Sequence, residues 1–190
     1  MRLAGCLITS RLRLRQPDAA GVIAQVQRAV DAGIDLVQVR ERDLEGRALY
    51  DLVRQCLEVA RGSHARVLVN DRLDVALAAG AHGVHLRGSS FPAARVRKRA
   101  GTMFLIGRSV HSAAEAIEVS RAGGLDYLMF GNVFETASKP GREAAGLERL
   151  AEVAQATPLP VLAVGGITAA RAALVARAGA SGFAAISMFT

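Results

Sequence analysis

Aromatic side chains are scarce in this chain, making up 4% of its 190 residues, and tryptophan is absent. With 51% of the residues hydrophobic, the core has to be built from Ala, Val, Leu and Ile. That composition suits closely packed helices and strands. There are only two cysteines, Cys6 and Cys56. They fall in segments that read as a strand and a helix interior, so buried free thiols in a reducing cytoplasm are expected rather than a disulfide framework. No apolar run approaches the roughly 20 residues that span a bilayer, so no membrane segment is expected. The opening "MRLAGCLITSRLRLRQ" has charge on both sides of a very short apolar run and no small-residue cleavage site, so no signal peptide is expected either.

The formal charge is +7, which raises nucleic acid as a partner. The one dense basic cluster is "RVRKR", Arg95 to Arg99, in a helical segment without interleaved aromatics. A solvated helix face explains it better than a nucleic-acid patch. The excess charge is instead expected to attract anionic metabolites.

The chain alternates between short aliphatic runs and longer helical patterns. The runs lie at 2–9, 36–40, 66–70, 83–86, 103–107, 127–131, 160–165 and 182–187. Helical patterns fill 18–32, 44–61, 71–79, 91–100, 112–123, 143–156 and 168–178. Such alternation predicts βα units and parallel strands. Eight of them predict one (β/α)₈ TIM barrel domain over residues 1–190. The rival doubly wound sheet needs a glycine-rich loop after its first strand, and "TSRLRLRQP" contains no glycine. The sequence stops at "AAISMFT", so the last helix of a full barrel is expected to be missing or truncated.

In this fold the working residues sit at the C-terminal strand ends. After strands seven and eight come "VGGIT" and "AISM". Gly165, Gly166, Ile186 and Ser187 there form a candidate phosphate cradle; the alternative is a tight turn with Thr168 as a helix cap. In "VQVRERD" the period of two puts Gln38 and Arg40 on one face. Arg40 and Arg42 suit a carboxylate or phosphate, or else pair with Glu41 or Asp43. In "NDRLD", Asn70 or Asp71 is expected to cap the next helix. Asp71 is also the one candidate magnesium ligand, with Arg87 opposing metal if it points inward. His82 and His85 have metal-like spacing only on a helix, and Gly83 and Val84 argue for strand. Thr136, Ser138 and Lys139, on the loop after strand six, are candidate anion donors or parts of an ordinary polar loop.

"LIGRSVHS" leaves His111 between the fifth strand and a capping box formed by Ser112 and Glu115. Histidine titrates near neutrality and suits proton transfer; spacing alone leaves it open whether His111 moves a proton or is a loop residue. Ser109 of the same stretch is a further candidate ligand residue.

Taken in order, "QVRER", "VNDRLDVALAAGAHGVHL", "IGRSVHS", "DYLMFGNVFETASKPG" and "PVLAVGGIT…GFAAIS" resemble the thiamine phosphate synthase superfamily over nearly the whole chain. The resemblance implies a (β/α)₈ barrel, usually a homodimer, in thiamine biosynthesis. "VRERD", "IGRSVHS" and "FGNVFET" are closer to its TenI-like thiazole tautomerase branch. That branch implies a metal-free isomerase of a thiazole phosphate, with His111 as the proton-transfer residue and no cofactor. The synthase branch joins a pyrimidine pyrophosphate to a thiazole phosphate and needs Mg²⁺. Its pattern has a lysine where Arg42 stands and an aspartate after "GVHLGQ", where this chain has "RGSS". Asn70-Asp71 and "TASK" keep synthase character, so the synthase is the alternative activity. A non-catalytic phosphate-ligand-binding regulatory protein is the alternative outside enzymes.

Overall fold

The chain was analysed as a computed structural model, which describes residues 3–136, 141 and 143–189. Eight parallel strands close into a barrel in sequence order, with β8 hydrogen-bonded back to β1. They are β1 (Ala4–Ile8), β2 (Leu36–Val39), β3 (Arg66–Asn70), β4 (Gly83–Leu86), β5 (Leu105–Val110), β6 (Tyr127–Gly131), β7 (Val161–Val164) and β8 (Gly182–Ala185). The α-helices are α1 (Ala19–Asp31), α2 (Gly46–Ala60), α3 (Leu73–Ala79), α4 (Ala93–Ala100), α5 (Ala113–Ala122), α6 (Gly146–Gln155) and α7 (Ala169–Arg177). This is the TIM-barrel architecture expected from the alternation. Among the described residues no helix follows β8, and no helix is long and apolar enough to cross a membrane.

The strands' alternation divides the core into two layers. One face of each strand packs on helices, where α2 contributes Leu49, Leu52, Val53, Cys56 and Ala60 at helical spacing. The other face fills the barrel with Cys6, Ile8, Leu68, Tyr127, Met129, Leu162 and Ala184. Burial raises both thiols, Cys6 and Cys56, to about 12, so they stay protonated inside the core. Arg97 of the basic cluster is structural, donating to Phe104 O (2.5 Å) and to the carboxylate of Asp126 (2.6 Å). Arg95, Lys98 and Arg99 are exposed, as a solvated face requires.

A repeated device ties the N-terminal ends of the strands together. Asp35, just before β2, accepts the N–H of Gly5 in β1 (2.8 Å). His82, just before β4, accepts the N–H of Val67 in β3 at Nδ1 (3.0 Å). Asp126, just before β6, accepts the N–H of Ile106 in β5 (2.7 Å). His82 is therefore a structural acceptor, at the opposite end of β4 from the strand tips. No cluster of three or more metal-ligating side chains occurs among the described residues.

Two of the boundary differences have a visible cause. The fifth strand runs over Leu105–Val110 rather than 103–107. Met103 is 92% exposed, while Arg108 is buried because its guanidinium donates to the carbonyls of Gly88, Ser90 and Phe91. Apolar content located the run, but those hydrogen bonds let a charged residue be buried on the helix-facing side and the strand continue through it. The third helix begins at Leu73, with Arg72 at its cap position and no side-chain cap. Neither Asn70, which ends β3, nor Asp71 caps it.

Asp126→Ala is expected to destabilise the fold by about 1.5–3 kcal/mol, the range for hydrogen bonds to a charged group, and Asp126→Asn by less. Urea denaturation at constant slope measures both.

Candidate active site

A cavity of about 740 Å³ opens at the C-terminal ends of the strands. It gathers most residues singled out by the sequence: Gln38, Arg40 and Arg42 from β2 and its loop, Asn70 from β3, and Ser109 and His111 from β5 and its end. Thr136, Gly165 and Ile186 join them from the loops after β6, β7 and β8. Gly166 and Ser187, one residue further on, do not line it. Ser138 and Lys139 fall outside the described residues.

The wall is strongly cationic. Arg13, Arg40, Arg42 and Arg87 all line it, and no carboxylate does among the described residues. The expected alternative, pairing of Arg40 or Arg42 with Glu41 or Asp43, does not occur. Glu41 is buried and accepts from the Thr9 hydroxyl (2.6 Å) and the Arg11 N–H (3.0 Å), while Asp43 pairs with Arg11 (2.6 Å). Burial and then the neighbouring Arg42 push the Arg40 guanidinium below its ordinary range. Glu41 offsets this only in part, and a desolvated cation beside like charges, with no ion pair among the described residues, is relieved by an incoming anion.

The neutral donors and acceptors are also arranged around the space. Gln38 donates to Asn70 Oδ1 (3.0 Å), leaving Gln38 Oε1 buried without a partner among the described residues. Asn132 Nδ2 is likewise buried and unpaired, on a residue that lines the cavity. Buried polar atoms without partners are costly, and a ligand offering a donor and an acceptor satisfies them. Gly165 and Gly166 adopt positive φ, 101° and 64°. A Cβ on them would lie 2.5 Å from Asn132 Cβ and from Glu135 O respectively. Only glycine lets the loop after β7 pass this close to the loop after β6.

His111 stands at the mouth. Ser112 caps α5 by accepting the Glu115 N–H (3.1 Å), and Glu115 accepts the His111 N–H (2.8 Å). One half of the expected capping box therefore forms, while the Glu115 carboxylate reaches one residue further back and holds the backbone of His111 instead of Ser112. Its Nδ1 lies 3.2 Å from the carbonyl oxygen of Gly131. A carbonyl only accepts, so Nδ1 carries the proton in that bond, and Nε2 of the neutral ring is the nitrogen with the lone pair.

Asp71 does not line this cavity but a smaller adjoining pocket. Its backbone is left-handed, with φ 61°. The Ser90 hydroxyl donates to one carboxylate oxygen and the Arg87 guanidinium pairs with the other. A magnesium site needs one or two free carboxylates plus phosphate oxygens. With both oxygens of Asp71 engaged and Glu41 committed to Thr9 and Arg11, the residues present do not fit that ion.

Sequence inspection missed His85 and Tyr127 as a unit. His85 is fully buried in the barrel, with Nδ1 3.0 Å from Tyr127 Oη and Nε2 2.9 Å from Ser109 Oγ. The signal was available: the period of two puts His85 on the face of Gly83, opposite Val84 and Leu86. Burial lowers the imidazole to about 4.

Comparison with known proteins now decides the family. The chain matches the family described as thiamine monophosphate synthase (TMP-TENI) over residues 6–189. It belongs to that family. It is similar to the thiamine-phosphate synthase of Coprothermobacter proteolyticus, with 40% identity over 86% of this chain and 77% of the relative. It is also similar to that of Methanoculleus marisnigri, with 44% identity over 84% of this chain and 75% of the relative. Among solved structures, thiamine phosphate pyrophosphorylase from Pyrococcus furiosus superposes with a TM-score of 0.83 at 34% identity, covering 97% of this chain and 86% of that one. The family is one of enzymes of thiamine biosynthesis.

The His85 shift has a consequence for stability. Its folded pKa of about 4 lies below the ordinary value of about 6.5, so between the two the unfolded chain binds the extra proton. Stability is therefore full above about pH 6.5 and falls as the pH drops toward 4, by up to about 3 kcal/mol. Burial lowers His82 too, in the same direction. Denaturation midpoints at about pH 7 and about pH 4.5 should diverge more for the parent protein than for His85→Gln.

Proposed function

We propose that this member of the family is a thiazole tautomerase, isomerising the 2-carboxy-4-methylthiazole ethyl phosphate tautomer to its aromatic form. The observation that carries the proposal is His111, whose Nδ1 is committed to Gly131 O and whose Nε2 is the basic nitrogen, beside a cavity with four arginines and no described carboxylate. His111 Nε2 takes the proton from the ring carbon bearing the carboxylate. The electron pair closes the aromatic ring and displaces the ring-to-exocyclic double bond. The imidazolium returns a proton to the exocyclic carbon. One proton leaves and one arrives, so no oxidant or co-substrate is required. Arg40 and Arg42 face the substrate's anionic groups, with Gln38, Asn70, Ser109 and Thr136 as the polar contacts. The phosphate is assigned to the loops at Gly165–Gly166 and Ile186–Ser187.

A second activity, thiamine-phosphate synthase, is supported by the names of the relatives, which favour it over the tautomerase. The Gln38–Asn70 pair is compatible with it. Against it stand the engagement of Asp71 by Arg87 and Ser90 and the serines in place of the second acid. A regulatory phosphate-binding role would leave both activities absent.

The test is a tautomer assay followed by ring absorbance, with EDTA present. Turnover is expected to survive EDTA and to fall about 10²–10⁴-fold in His111→Ala, the range for general acid–base catalysis. Near-parental turnover in His111→Ala would sink the assignment to His111. Magnesium-dependent release of pyrophosphate from a pyrimidine pyrophosphate and thiazole phosphate, with no tautomer turnover, would establish the synthase instead.

A further inference from the structure

In the line Tyr127–His85–Ser109, Tyr127 is buried inside the barrel, His85 is buried at the cavity floor, and Ser109 stands beside it on the cavity wall. Tyr127 and His85 stand on β6 and β4, on either side of Gly107 in the strand register. A Cβ at Gly107 would lie 2.0 Å from Tyr127 Cζ, so the absent side chain is what lets the phenol cross β5 to His85. Ser109, two residues along β5, completes the line to the cavity wall.

We propose that Tyr127 and His85 are positioning residues that turn the Ser109 hydroxyl outward as a hydrogen-bond donor to the substrate, through the line Tyr127 Oη, His85 Nδ1, His85 Nε2, Ser109 Oγ. Proton counting gives the direction. The Tyr127 hydroxyl is buried and its one described partner is His85 Nδ1, at 3.0 Å. Burial pushes the phenol's pKa up, so it keeps its proton, and a buried O–H without an acceptor is expensive. Tyr127 therefore donates to Nδ1. Burial also keeps the imidazole neutral at physiological pH, with its pKa near 4, so the ring carries one N–H, on Nε2. That N–H donates to Ser109 Oγ at 2.9 Å. The serine oxygen is thereby occupied from within. Its own proton, without an acceptor among the described residues, is directed to the cavity. Run in reverse, Ser109 would donate to Nε2 and Nδ1–H to Tyr127, stranding the tyrosine's proton in the core. The outward donor suits an acceptor group: a carboxylate oxygen, a phosphate oxygen or a ring nitrogen.

Identification of the ligand rests on the function proposed above, whereas the polarity of the line does not. Two readouts separate them. In ¹⁵N-histidine NMR of the parent protein, with His85 assigned by loss of its signals in His85→Gln, the Nε2–H tautomer is expected. An Nδ1–H ring would overturn the proposal whatever the protein's activity. Binding of 2-carboxy-4-methylthiazole ethyl phosphate is then measured by calorimetry. Ser109→Ala and Tyr127→Phe are each expected to weaken it about 10- to 100-fold. Tyr127→Phe is also expected to release the tautomer preference, and the double variant should bind no worse than Ser109→Ala. An equal loss from Tyr127→Phe in the Ser109→Ala background would mark Tyr127 as packing only and overturn the relay. If the phosphate fails to bind the parent protein while its His85 carries Nε2–H, the ligand assignment falls and the polarity stands.

Discussion

Closing eight parallel strands on themselves decides which side chains face the axis. Each strand contributes alternate residues to a narrow interior, and every backbone group in the ring finds a neighbour, so there is no free sheet edge. In this chain the interior is filled below by Cys6, Leu68, Leu162 and Ala184. It turns polar above, through Gln38, His85 and Ser109. The cavity is simply where apolar inward positions give way to polar ones. Asp35, His82 and Asp126 tie the opposite rim, which keeps stability and chemistry at separate ends of the barrel.

Charge is distributed with the same separation. Most acids near the cavity are spent on local bonds: Glu41 on Thr9 and Arg11, Asp43 on Arg11, Asp71 on Arg87 and Ser90. Arg40 and Arg42 have no such partner among the described residues, and the cavity carries a positive field suited to an anionic ligand. The engagement of Asp71 has a second effect. An acid of the kind that helps hold a divalent cation is here part of a guanidinium pair.

Much of this was legible in the sequence. Alternation of short and long segments gave the barrel, because parallel strands need crossovers and the crossovers here are helical. The period of two in "VQVR" put Gln38 and Arg40 together, and the capping box at Ser112–Glu115 placed His111 at a strand end. Three features were not legible. Arg108 continues β5 only because carbonyls from the loop after β4 receive its guanidinium. Asp71 is taken by Arg87, sixteen positions on. His85 meets Tyr127 across 42 positions of sequence.

The sequence by itself determined the period, the order of the elements and the rim to which each candidate belongs, because these follow from local spacing and from the handedness of βα units. Only the tertiary structure decided which charges are already spent, which polar atoms are left unpaired and which way the protons of a buried line point. Those depend on distances between strands that are far apart in the chain, and spacing along the chain does not encode them.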